Sequence, residues 1–358
     1  MISISLCMIV KNEEQVLERC LLSVQDLVDE IIIVDTGSTD KTKQIASKFT
    51  PLIYDFQWID DFAAARNFSF SKATKDYQMW LDADDIFVEE DRMKFKKLKE
   101  GLNNTIDMIT MKYNTHFDEN NLPIFTSTRG RIFKKKTGYL WEDPIHEYIT
   151  WTGNIFHAND IFVTHKKVNV YADRNIKIYE KQVAEGKELS PRSTYYFARE
   201  LKDHKRYEES VIYFNKFLND GLGWVEDNIA SCYNLGICYR VLKEEEKSLE
   251  AFLRSFKYST PRAEICCEIG YYFKKNNQLT NAIFWFELAG SLEKPNTMGF
   301  ILNDYWGYIP NIELAVCYSN LNNIKKAVYH NQRAKIYKPL SKAVKHNEEY
   351  FSQLIKSV

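Results

Sequence analysis

The chain has 358 residues, room for two ordinary domains. Lys and Arg total 48 against 49 Asp and Glu, a formal charge of −1, which excludes a nucleic-acid binder acting through bulk positive charge. With 45% hydrophobic and 27% charged residues a packed core is available and disorder is excluded.

Residues 3–10 (SISLCMIV) are a β-rich run. It is far shorter than the roughly 20 residues of a bilayer span. Without a basic stretch ahead of it, it is not expected to be a secretory signal. In 13–23 the apolar positions Val16, Leu17, Cys20 and Leu21, continuing to Val24, share one helix face. Residues 30–34 (EIIIV) suit a strand buried on both faces of a parallel sheet. A helix over 40–49, a strand over 51–56, a helix over 62–73 and a strand over 77–81 follow, the last ending in acids. Further strands are predicted at 106–113, 131–133 and 160–165. This alternation predicts an α/β sheet whose ligands bind beyond the carboxyl ends of the strands.

From about Asn175 the β-rich runs stop and helix pairs recur. A small residue opens the second helix of each pair at Ser210, Ser248, Ala282 and Ala327, spaced 38, 34 and 45 residues apart. A period near 34 is that of the tetratricopeptide (TPR) repeat. The wider last interval predicts an insertion around 293–308. Much of the aromatic share of 14% falls here, at helical spacing, and reads as inter-helix packing more readily than as a stacking surface. The seven cysteines form no CxxC pair or metal spacing and read as buried reduced thiols of a cytoplasmic protein.

Polar clusters sit at the predicted strand ends: 11–13 (KNE), 35–40 (DTGSTD), 61–67 (DFAAARN) and 82–85 (DADD). Three carboxylates in four residues repel one another unless a cation neutralises them, and oxygen ligands suit Mg²⁺ or Mn²⁺. An exposed acidic turn capping the next helix is an equal reading. The glycine and distal glutamate of an EF-hand are missing, and neither a P-loop nor a GxGxxG occurs. Asp35, ending its strand, is placed either to cap the next helix or to accept hydrogen bonds from a base or ribose. Residues 141–147 (WEDPIHE) and His165 add acid–base groups, but HExxH is not met because Thr150 stands four residues after His146.

In this order, KNE, VDTGSTD, ARN, DADD and IHE resemble family 2 glycosyltransferases of the GT-A fold. Within that family the chain is similar to bacterial members with a TPR-like tail, including peptide S-glycosyltransferases of glycosylated bacteriocins. It is also similar to lipopolysaccharide-core glucosyltransferases that share IHE and a later His. The resemblance covers about residues 1–170 and implies a Rossmann-like, mixed but mostly parallel sheet; 171–358 is the all-α TPR-like domain. It implies a nucleotide-sugar donor, usually a UDP-sugar, with Mn²⁺ or Mg²⁺ on its diphosphate.

By position, Val10, Asn12 and Glu13 border the nucleoside. Asp35 meets the uracil or ribose, with Gly37 and Ser38 in the same donor loop, and Arg66 faces the base or diphosphate. Asp82 and Asp84 make the DxD, Asp84 being the direct metal ligand with Asp85 its helper, and His165 completes the metal shell. Inverting transfer needs a base, for which Glu147 leads, then His146, then Asp143. Glu142-Asp143-Pro144 departs from the small or basic residues of relatives. The acceptor is a peptide Cys or Ser side chain, or a saccharide or lipid-linked group. The repeats would dock it, recruit a partner or pair two protomers into a homodimer. The rivals are an adaptor with an inactive sugar-nucleotide domain and a nucleotidyltransferase, whose phosphate loop is missing here.

Overall fold

Runs of branched residues that leave no polar face for water pair side by side in the centre of a sheet. β1 (Ile4–Val10) lies between β2 (Glu30–Asp35) and β4 (Tyr77–Trp80), parallel to both, and β3 (Ile53–Asp55) extends the parallel set beyond β2. The computed structural model describes residues 2–119, 121–136, 139–166, 173–297, 299 and 301–356. Beyond β4 come β7 (Pro123–Lys134), antiparallel to it, then β6 (Met108–Phe117) and β10 (Ile155–His165), parallel to each other. The short β5 (Asp85–Ile86) closes that side, antiparallel to β10, and β8 (Trp141–Glu142) pairs separately with β9 (Tyr148–Ile149).

Both faces of the sheet are covered. On one, α1 (Leu17–Val24) buries Leu17, Cys20, Leu21 and Val24 with Ala46 of α2 (Thr42–Ala46) and Phe95 of α4 (Glu89–Gly101). On the other, α3 (Phe62–Ser71) buries Ala63 and Phe70 with Trp141 and Ile149. Helix α1 starts later than its apolar spacing predicts. Residues 11–16 form a turn instead, in which the amides of Val16 and Leu17 both donate to the carbonyl of Glu13. The lysine-rich α4 was not anticipated, because its apolar anchor is essentially Phe95, flanked by the buried Asp91 and Lys99.

The chain divides into two compact units, Met1–His116 with Thr126–Glu188, and Phe117–Phe125 with Leu189–Val358. The boundary expected at 170/171 lies outside the described residues. α5 (Arg174–Ala184) belongs to the first unit.

In the second unit antiparallel pairs follow one another: α6 (Pro191–Asp203) with α7 (Tyr207–Asp220), then α8 (Val225–Val241) with α9 (Glu245–Arg254). α10 (Ala263–Lys275) with α11 (Leu279–Ser291), and α12 (Tyr308–Asn320) with α13 (Ile324–Tyr337), complete the series before α14 (Lys342–Lys356). The small residues at the repeat positions are all buried. Ser210 Oγ donates to the Ala198 carbonyl at 2.7 Å and Ser248 Oγ to that of Gly236 at 2.8 Å, so each hydroxyl replaces apolar bulk and ties its helix to its partner. Aromatic rings fill the seams as expected, as in Tyr195 against Phe214 and Phe217. The predicted insertion holds a short strand, Ile301–Leu302, and a 3₁₀ turn, Asn303–Tyr305.

A side chain at Gly236 would meet the ring of the fully buried Phe252 at 2.4 Å. Gly236→Ala is therefore expected to destabilise the protein by about 1–3 kcal/mol, the usual cost of overpacking, read as a lower urea midpoint.

Candidate active site

Parallel pairing brings Val10, Asp35, Asp55 and Trp80 to one edge of the sheet, so the loops that follow them converge. The first two loops are laced together. Asn12, with φ +55°, accepts the Thr39 amide at its side-chain oxygen, and its own amide donates to Ser38 Oγ. The amides of Glu13 and Glu14 donate to Thr42 Oγ1 and Asp40 Oδ2. Asp35 Oδ2 accepts the amides of Gly37 and Ser38 at 3.1 and 3.0 Å, a turn that the +99° φ of Gly37 permits. Asp35 Oδ1 is buried with no hydrogen-bond partner among the described residues, an acceptor left over for a ligand. Val10 is a core residue; only its backbone, whose carbonyl takes the Thr36 amide, faces the loop.

At the next strand end the acid run separates into three environments. Asp82 Oδ1 accepts from Arg66 Nη2 at 2.8 Å, and Arg66 Nε reaches Glu147 Oε1. Burial alone would raise the Asp82 carboxyl, but the neighbouring Arg66 guanidinium outweighs it and holds it below the usual carboxylate range. Asp85 is fully buried. It accepts from Arg131 Nη1 at 3.1 Å, from the Tyr113 hydroxyl at 3.0 Å and from the Asp82 amide at 3.1 Å. Asp84 remains toward the open side, 20% exposed, with its Oδ1 3.2 Å from His165 Nδ1.

His165 arrives by strand register, since β10 pairs with β5 so that His165 stands opposite Asp85. Its Nδ1 is also 3.1 Å from Asp85 Oδ1. Burial pushes this imidazole down, yet the hydrogen bonds to Asp84 and Asp85 prevail and lift it to about 10. Asp84, Asp85 and His165 bring one ligand atom each within 4.8 Å of one another. Asp82, expected with Asp84 and His165 in the metal set, gives its Oδ1 to Arg66, and Asp85 lies beside His165. Glu13 looks toward the same acids. Burial first, then Asp84 and Asp82, push its carboxyl up to about 7.

The remaining sequence candidates hold the far wall. Asn67 exchanges two hydrogen bonds with the backbone of Trp141, at 2.9 and 2.8 Å, and the Phe62 amide donates to the Pro144 carbonyl at 2.8 Å. α3 thereby fastens the WEDPIHE segment, in which Asp143 and His146 take left-handed φ values of +65° and +54°. Such backbone costs of order 1–3 kcal/mol per residue and persists only where its surroundings enforce it. The His146 ring lies over Tyr179 of α5, centroids 6.4 Å apart, whereas Glu147 turns to Arg66. Glu147 is thus tied to the DADD loop through Arg66, which also holds Asp82.

Sequence reasoning missed a column of rings and guanidiniums behind the acids. Arg66 lies 4.7 Å from the Trp80 ring and 5.0 Å from Trp141; Arg131 lies 3.9 Å from Trp80 and 4.4 Å from Tyr113. The signal was present: an arginine within a β-rich run must be paired if buried, and an acid run was the obvious partner.

Five carboxylates (Glu13, Asp82, Asp84, Asp85 and Glu147) thus share the site with the guanidiniums of Arg66 and Arg131 and one imidazole, and Arg174 also acts on Glu13. The carboxylate oxygens and the imidazole brought together by Asp84, Asp85 and His165 are a donor set that fits a divalent cation of the Mg²⁺ or Mn²⁺ kind.

Residues 5–159, most of the first unit, match the glycosyl transferase family 2 model. Over 149 residues the chain is 35% identical to a TPR repeat-containing protein of Synechococcus elongatus, covering 42% of this chain and 36% of that one. Over 227 residues it is 29% identical to the SPbeta prophage-derived glycosyltransferase SunS of Bacillus subtilis, covering 59% and 52%. The chain thus spans about half or less of the length of these curated relatives. A solved structure of glucosyl-3-phosphoglycerate synthase from Mycobacterium tuberculosis, with Mn²⁺, UDP-glucose and phosphoglyceric acid, is 22% identical over 31% of this chain and 44% of its own. Its TM-score of 0.27 is too low to argue from.

Proposed function

We propose that the first unit transfers a hexose from a nucleotide sugar, a UDP-sugar above all, to a nucleophilic side chain or hydroxyl, with inversion at the anomeric carbon. The observation that carries this reading is the convergence, at one sheet edge, of the unpartnered Asp35 Oδ1, the Asp84–His165 pair and the Arg66-held Glu147. Asp35 Oδ1 is the acceptor for a donor N–H or O–H of the base or ribose. Asp84 and His165 are the groups that would hold Mn²⁺ or Mg²⁺, whose charge would offset that growing on the departing diphosphate. Arg66 fixes Glu147 through one carboxylate oxygen. The other, Oε2, makes no hydrogen bond among the described residues and is positioned to take the acceptor's proton. A thiol acceptor would demand less of this base than a hydroxyl, because it ionises more readily.

The helical unit is assigned to docking the acceptor or a partner, a common use of concave helical arrays. Among the described residues no helix is long and apolar enough to cross a membrane. The seven cysteines are free and buried, which favours a reducing compartment, the cytoplasm.

In thermal denaturation, UDP at about a hundred times its Kd is expected to stabilise the protein by about 2.7 kcal/mol, a rise of several degrees, when Mn²⁺ is present. UDP alone should give less. Melting curves that ignore every combination of UDP, Mn²⁺ and Mg²⁺ would end the donor assignment.

A further inference from the structure

The proposed transfer uses Asp84 and His165 but leaves Arg131, a fully buried guanidinium 46 residues from the acid it meets, without a task. Its surroundings are costly to build. The side chain has no exposure, its Nε and Nη2 have no hydrogen-bond partner among the described residues, and two aromatic faces, Trp80 at 3.9 Å and Tyr113 at 4.4 Å, lie against it. A buried arginine–carboxylate pair is rarely a gain in stability over apolar residues of the same volume, so this one calls for a reason beyond folding.

Its partner supplies the reason. Asp85 is also without exposure, and its two oxygens divide their work. Oδ2 faces Arg131 and the Asp82 amide, while Oδ1 takes the Tyr113 hydroxyl and lies 3.1 Å from His165 Nδ1. Both oxygens are therefore held from behind, and the edge left to His165 is fixed. Asp84 Oδ1 lies 3.2 Å from the same Nδ1, so the carboxylates orient the ring from that edge, with the fully held Asp85 as the fixed one, and leave Nε2 as the ligand atom.

We infer that Arg131 is a positioning residue: through Asp85, and with Tyr113, it sets the His165 ring as a nitrogen ligand and so gives the cation site its preference for Mn²⁺ over Mg²⁺. The inference rests on the proposed metal-assisted transfer. Mg²⁺ keeps to carboxylate and water oxygens, whereas Mn²⁺, though low among the transition metals, accepts an imidazole nitrogen more readily, so the His165 orientation weighs on Mn²⁺ first.

The test is cation binding by the intact chain, without donor or acceptor. Mn²⁺ is titrated by electron paramagnetic resonance, with Mg²⁺ as competitor, and the metal-free melting temperature is recorded alongside. Arg131→Met keeps most of the volume and removes the charge; it is expected to weaken Mn²⁺ binding about 10- to 100-fold, as loss of an outer-shell partner commonly does. Mg²⁺ binding should change much less. Tyr113→Phe keeps the ring over Arg131 and removes one hydrogen bond to Asp85; a loss of about two- to tenfold for Mn²⁺ is expected. This second variant carries the test if Arg131→Met does not fold. Unchanged Mn²⁺ affinity in the folded variants overturns the inference. So does an equal loss for both metals that merely follows a lowered metal-free melting temperature. A wild-type chain that binds neither cation overturns the metal-assisted reading itself, a result separable from the other two.

Discussion

Asp84→Ala should abolish sugar transfer while leaving the fold intact. The carboxylate is 20% exposed and its side-chain partner is His165, which keeps Asp85 as a second carboxylate partner, so its removal opens no large cavity and does not leave the imidazole without a counter-charge. Cation assistance to a departing diphosphate is commonly worth several kcal/mol. At 1.36 kcal/mol per decade, the expected loss is at least about a hundredfold in kcat. Product formation measured at saturating donor, beside an unchanged circular-dichroism melt, checks it. Wild-type turnover in this variant would remove Asp84 from the site.

The second large effect belongs to Arg66, and it falls on stability as well as on transfer. Arg66 is buried, 6% exposed, with Asp82 and Glu147 at its two edges and indole rings on its faces. Arg66→Met keeps the bulk but leaves two carboxylates without their cation. Breaking a buried pair costs roughly 3–5 kcal/mol. The low end applies here, because the Asp82 side chain keeps 37% of its exposure and water screens part of the loss. Since Asp82 is held below its ordinary range in the folded protein, its contribution is complete above about pH 4 and fades as pH falls through the lowered value. The gap between wild type and variant should therefore be widest near neutrality and shrink in acid, which urea unfolding at pH 7 and pH 3.5 would measure. A gap that does not change with pH would mean that lost stacking, rather than charge, dominates. Arg66→Lys should rescue little, because an ammonium cannot serve two carboxylates in one plane or lie flat between indoles.

What the sequence disclosed and what it hid divide along a physical line. β1 and β2 were legible because a strand buried on both faces must be apolar throughout, and EIIIV has no other use in water. The helix pairs were legible because Ser210, Ser248, Ala282 and Ala327 recur where two helices come close. The acid run and His165 could be named from motif order, but not their division of labour. That division depends on register: β10 sets His165 against Asp85, and β7 sets Ile132 against Met79, which brings Arg131 to the level of Trp80. Pairings between strands dozens of residues apart leave no trace in a local period. The same reason hid the long reach of β6 and β7, whose polar halves read as irregular.

The lacing of the first two loops has a practical result for anyone who recombines such domains. Asn12 with Thr39, Ser38 with the Asn12 amide, and Thr42 and Asp40 with the amides of Glu13 and Glu14 make the two segments one part, not two. A chimera that transplants residues 35–42 from a homologue while keeping its own 10–14 would sever several reciprocal links at once, so the two stretches must travel as a matched set.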